Sequence, residues 1–121
     1  MLFLAVTAAA GGGAVVRYLV DRAVTGRAAT EWPAGTFVIN VTGSLLLGVM
    51  VGLSVHHGVG TTTVDIVGAG FAGGFTTLST WAWESIALAE TSEWLGAFVN
   101  VFGSVAVGLL AAAAGLGLAR L

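Results

Sequence analysis

The sequence predicts an all-α integral membrane protein, a single domain spanning residues 1–121, made of four transmembrane helices with a broken third helix. Three observations carry this. Only 8% of the residues are charged, about a third of the roughly 25% usual in soluble domains. The apolar residues, 57% of the chain, gather into four stretches near the ~20 residues needed to cross a bilayer. The connections are short, so little chain remains for a soluble module; mean hydropathy is +1.00.

The first segment is expected at about Leu2–Val20. Ala8-Ala9-Ala10 looks briefly like a signal-peptide cleavage site, but the basic n-region is missing, so the stretch reads as the start of a helix. Arg17 near its end either snorkels to the interface or is a buried structural cation bonded to backbone or to Asn40; the buried reading is preferred. The loop Asp21–Ala34 holds Arg22, Arg27 and the one proline, Pro33. The second segment, about Gly35–Val55, ends in the turn His56–Thr61, and the fourth follows at about Trp94–Ala119.

The third segment, about Thr62–Ala89, is the informative one. It contains Gly73-Gly74-Phe75-Thr76-Thr77-Leu78-Ser79-Thr80-Trp81, followed by Glu84. Hydrocarbon offers no hydrogen bonds, so paired glycines and four hydroxyls should not face lipid. Irregular backbone survives at membrane depth only when buried in protein or lining a wet cavity. A helix break ringed by hydroxyls is a way to hold small ions. Glu84 reads equally as a pathway carboxylate or as a boundary charge. Trp83 and Trp94 suit an interfacial belt, whereas Trp81 lies inside the polar run and suits a pore wall.

An internal echo links two segments. Asn40, Ser44 and Gly48 share a helical face in the second, and Asn100, Ser104 and Gly108 share one in the fourth. Small residues at that spacing admit close helix approach, and the Asn and Ser side chains can bond across it. Packing explains the glycines. Asn40 also invites a functional role, because an intramembrane amide needs a partner or water.

Other motifs carry less. Gly68-x-Gly70-x-x-Gly73 matches a dinucleotide fingerprint but lacks a βαβ unit around it. No Gly-Lys-Ser/Thr follows, so there is no P-loop. His56-His57 has no converging third metal ligand and reads as a solvated turn. There is no cysteine and no lysine, and net charge is -2; no basic patch suits nucleic acid. No nucleophile–base–orienter set is visible, so an enzyme is not expected. Arg22 and Arg27 lie on one side of the membrane and Arg120 on the other, a bias too weak to fix one orientation.

Taken together these residues resemble the Fluc (CrcB) fluoride channels. The run from Gly73 to Trp81 with Glu84 is similar to that family's signature; Gly12-Gly13-Ala14-x-x-Arg17-Tyr18, Pro33-x-Gly35-Thr36-x-x-x-Asn40-x-x-Gly43 and Asn100-x-x-x-Ser104 are similar to its motifs in the other helices. The resemblance implies an antiparallel dual-topology dimer in the plasma membrane that exports fluoride from the cytoplasm and so limits its toxicity. It implies two fluoride pathways and a structural sodium ion at the interface, held by the backbone carbonyls of Gly73 and Thr76 from each subunit. Asn40, Ser79, Thr80 and Ser104 would line the polar side of the pathway. Leu78 and Trp81 occupy positions where the family usually has phenylalanine, which leaves the aromatic wall, and homodimer versus heterodimer with a related subunit, open. Two alternatives stand beside this: a small four-helix multidrug or guanidinium exporter, which needs a carboxylate in the first segment where only Arg17 stands, and a non-transporting membrane assembly subunit, which leaves the hydroxyl run unexplained.

Overall fold

The computed structural model describes residues 1–121. All of its elements are helical. α1 spans Leu2–Thr25 and α2 spans Ala34–His57, 24 residues each, which is about 36 Å of helix. α3 covers 61–75, as an α-helical turn Thr61–Val64, a π-helical stretch Asp65–Ala72 and a last turn Gly73–Phe75. α4 spans Leu78–Glu90. α5, Trp94–Leu118, carries a second π-helical stretch at Val99–Gly103. Three helices, α1, α2 and α5, are long and apolar enough to cross a membrane; the third hydrophobic segment is divided between α3 and α4.

The first segment runs five residues further than its hydropathy indicates, to Thr25 rather than Val20. Its polar last turns stay helical because their side chains bond along the helix. The Arg22 guanidinium donates to the Tyr18 hydroxyl at 3.1 Å and lies 5.8 Å from that ring's centroid, and the Thr25 hydroxyl donates to Asp21 at 3.4 Å. A cation in a helix's last turn also faces the favourable end of the macrodipole. Asp21 therefore belongs to α1, which corrects the expectation that the first helix lacks a carboxylate.

α2 stops at Gly58, whose φ of 67° is left-handed; its N–H and that of Val59 reach back to the Leu53 carbonyl, a glycine C-terminal cap. His57 then bonds the Ala119 carbonyl at 2.8 Å, tying the end of α2 to the end of α5.

Two helix pairs make the packing, and both close on small residues. In the α2–α5 pair, a Cβ added at Gly48 would overlap the Ala112 backbone, and one at Gly115 would overlap the Leu45 carbonyl. In the α1–α3 pair, Gly13 meets the backbone of Phe71 and Phe75, and Gly74 meets that of Ala10. Helices cannot come this close with larger residues at the contact, and close approach is what holds helices together in lipid.

Candidate functional site

The break falls at Thr76 and Thr77, two residues beyond the paired glycines. Gly73 is helical at φ -63°, ψ -40°, whereas Thr76 (φ -76°, ψ 162°) and Thr77 (φ -147°, ψ 121°) are extended. β-branched residues suit that conformation. The glycines have another task in part: Gly74 is needed for contact with α1, while a Cβ at Gly73 would meet no atom within 4 Å.

Two residues from other helices hold the break. Asn40 Nδ2 donates to the Thr77 carbonyl at 2.9 Å, and the Thr77 N–H donates to Asn40 Oδ1 at 2.9 Å. The side-chain amide thus bonds both backbone polar groups of Thr77. One Nδ2 hydrogen remains for another acceptor. Arg17 Nη1 donates to the Thr76 carbonyl at 3.2 Å. This is the backbone-bonded arrangement among the two considered for Arg17. Because the Thr77 N–H goes to Asn40, the Gly73 carbonyl loses the bond that a continuous helix would give it.

The second half of the segment restarts with its own cap. The Thr77 hydroxyl accepts from the Thr80 N–H at 3.2 Å and donates to the Thr80 hydroxyl at 2.9 Å. A threonine N-cap supplies one of the helix's missing acceptors. Sequence reasoning placed Thr77 in the polar run without assigning it this role; a hydroxyl residue ahead of a helical stretch was the available signal.

The expected pathway residues do not converge on one cavity. Asn40, Leu78, Trp81 and Ser104 line a cavity of about 150 Å³ with Val105. Thr80 faces a different one of about 230 Å³, with Arg17, Asp21 and Thr36. Glu84 lines a third of about 610 Å³, near Asp21, Glu31 and Glu93. Ser79 is exposed and lines none of these, and Leu78 is 75% exposed. A fourth space, an open groove of about 580 Å³, runs between α2 and α3 past Asn40, Ser44, Gly73 and Thr76.

Two side chains are committed to partners within the chain. The Trp81 indole N–H donates to the Asn100 carbonyl at 2.9 Å, so it is committed within the chain and does not stand free as an anion donor. Glu84 is not a free boundary charge: the Thr36 hydroxyl, 2% exposed, donates to its Oε1 at 2.8 Å, while Oε2 is buried with no hydrogen-bond partner. Asn100, fully buried, also gathers a network not foreseen from the sequence. Its Nδ2 donates to the Ser85 hydroxyl at 2.9 Å and to the Trp81 carbonyl at 3.4 Å, and its Oδ1 accepts from the Ser104 hydroxyl at 3.4 Å. The Asn-Ser echo was the visible trace of it.

The family model described as CrcB-like protein, Camphor Resistance (CrcB), matches residues 4–116. The chain belongs to the CrcB family. It is 44% identical to the fluoride-specific ion channel FluC 1 of Frankia casuarinae, over 99% of this chain and 97% of that relative. It is 42% identical to FluC 1 of Symbiobacterium thermophilum, over 98% and 97%, and 38% identical to FluC 2 of Mycobacterium tuberculosis, over 99% and 92%.

In this CrcB chain the residues nominated for sodium offer oxygen but little of it. Gly73 and Thr76 contribute two backbone carbonyls, and no group of three or more His, Asp or Glu side chains could hold a metal. Carbonyl oxygen is the right donor type for a hard cation. The Thr76 carbonyl keeps a second lone pair beside its bond to Arg17. The donor type therefore suits such a cation, but two carbonyls alone do not complete its shell.

Proposed function

We propose that this chain is a fluoride-selective channel subunit of the cell membrane, which passively exports fluoride from the cytoplasm and so limits its toxicity. The observation that carries the reading is the Thr76–Thr77 break, held open by Asn40 and Arg17 inside a membrane-length apolar segment. Its relatives over nearly the whole chain are fluoride-specific ion channels, and the family is one of channels and not of enzymes.

The residues suit the task chemically. A small anion loses a large hydration energy on entering a membrane, and pre-placed donors offset part of it. The remaining Asn40 Nδ2 hydrogen flanks the small cavity, and the Trp81 ring presents a positively polarised edge. Ser79 and Thr80 add hydroxyls on the exposed face of α4.

We further infer that two chains pair in opposite orientations, as a homodimer or with a related subunit. Four hydrophobic segments with α3 and α4 acting as one span give that pairing its geometry. The exposed groove along α2 and α3 brings Gly73 and Thr76 to such an interface. Two copies double these carbonyls into a four-carbonyl cage, since a twofold interface repeats each contact. A structural sodium ion there supplies fixed positive charge near the anion's path.

The test is efflux from liposomes holding only the purified chain. Fluoride-loaded vesicles should discharge and chloride-loaded vesicles should not. Equal rates for the two anions would end the fluoride reading.

A further inference from the structure

We propose that Asn100 is a positioning residue, which together with the Trp81 indole fixes the aromatic wall of the small cavity. The proposal rests on the channel reading above and deepens it. Trp81 and Asn100 bond reciprocally. The indole N–H of Trp81 donates to the Asn100 carbonyl at 2.9 Å, while the Asn100 amide donates back to the Trp81 carbonyl at 3.4 Å and to Ser85, one turn on, at 2.9 Å.

The clamp is buried and closed. Asn100 is 0% exposed and Ser85 and Ser104 are each 8% exposed. The Ser85 hydroxyl donates to the Trp81 carbonyl at 2.8 Å, so residue 81 is held at its carbonyl from two directions and at its ring from a third. Ser104, which lines the cavity, is bonded to the same amide through Asn100 Oδ1. The joint lies on the π-helical stretch Val99–Gly103, and π turns are frequent at functional sites.

A phenylalanine at 81 has no ring donor and is placed by packing alone. Tryptophan at 81 is instead tied by its ring to the main-chain oxygen of residue 100, and the Asn100 side chain holds that stretch of α5 against residues 81 and 85. Leu78, the neighbouring wall residue, is 75% exposed and has no polar atom to fix it. The orientation of the wall within this chain thus depends on the Asn100 clamp.

The experiment uses the full chain with ¹⁵N-labelled indole groups. Four tryptophans give four indole resonances, and Trp81→Phe identifies the one belonging to Trp81. Asn100→Leu, branched in the same way but without the amide, should shift that resonance and leave the other three in place. It should also slow fluoride efflux about tenfold, as the side chain's bonds to Ser85, the Trp81 carbonyl and Ser104 are lost together. An unmoved Trp81 resonance, or efflux left at the natural rate, would overturn the clamp. Should Asn100→Leu fail to fold, Ser85→Ala removes the amide's 2.9 Å partner and the same two readouts apply. If the natural chain passes no fluoride, the channel reading fails, while the resonance still decides the clamp.

Discussion

At the scale of single residues, the two asparagines show how a polar group in an apolar segment comes to be useful. Asn40 reads from the sequence as a costly group that needs a partner; the partner is a peptide unit 37 residues away. That distance is why the identity of the partner was not legible, since only tertiary packing brings α2 to the break. Thr77 is 8% exposed, so its backbone has little access to water. Asn40→Ala should leave its N–H unpaired, the carbonyl keeping only the first bond of α4, and lower stability by about 1–3 kcal/mol, the cost of one buried unsatisfied group. Thermal unfolding in detergent measures it, and a shift no larger than that of Thr42→Ala, an exposed hydroxyl bonded only within its own helix, would remove Asn40 as the pin of the break. Trp81 teaches the converse. Its place in the polar run was visible, but an indole N–H seeks any acceptor, and the nearest one here is a carbonyl of α5 and not an ion.

At the scale of elements, the broken third segment was legible and its hinge was not. Paired glycines suggest a flexible point because they lack Cβ, yet Gly74 is small so that α1 can lie against it, and the extended conformation goes to Thr76 and Thr77. Composition does not separate a glycine needed for close approach from one needed for a bend. Two substitutions do. Gly74→Val should disrupt folding, because its Cβ overlaps the Ala10 backbone, whereas Gly73→Ala meets open space and should leave the fold of the single chain intact. Size-exclusion profiles and helical circular dichroism check both. If Gly73→Ala folds but cannot pass fluoride, the restriction comes from whatever lies in the groove beside it. The cap is a separate matter. Thr77→Ala should cost about 1 kcal/mol through the lost Thr80 N–H bond, and Thr77→Ser should recover most of it. Thr76→Ser should be nearly silent, since a serine hydroxyl can keep the 2.9 Å bond to the Ala72 carbonyl and the backbone oxygen is unchanged.

At the scale of the whole molecule, membrane residence was plain from composition, and the pairing of helices through small residues was foreshadowed by the Asn-Ser-Gly echo. What no single chain displays is the assembly. Leu78, Phe98, Phe102 and Trp83 are all exposed, and lipid or a second subunit covers such residues equally well. Orientation is the property that separates these cases by experiment. Arg22 and Arg27 stand at one end and Arg120 at the other, so the chain has little preference under the positive-inside rule. Because it has no cysteine, single labels are unambiguous. His56→Cys is a better probe than one at His57, whose ring holds the Ala119 carbonyl; Thr91→Cys marks the opposite end. Each should be labelled from both faces of the cell if copies insert both ways round. Labelling of each from one face alone would eliminate dual topology. Four arginines inserted between Val59 and Gly60, in the short turn after α2, make the count five against two and should then bias every copy to one orientation. For a protein that works as an antiparallel homodimer, fluoride efflux should fall to the level of empty vesicles. It should return when that variant is co-expressed with a second one carrying extra arginines at Ala28 and Ala29, since the two would insert opposite to one another. Full activity of the singly biased variant would show instead that one chain, or a parallel pair, suffices.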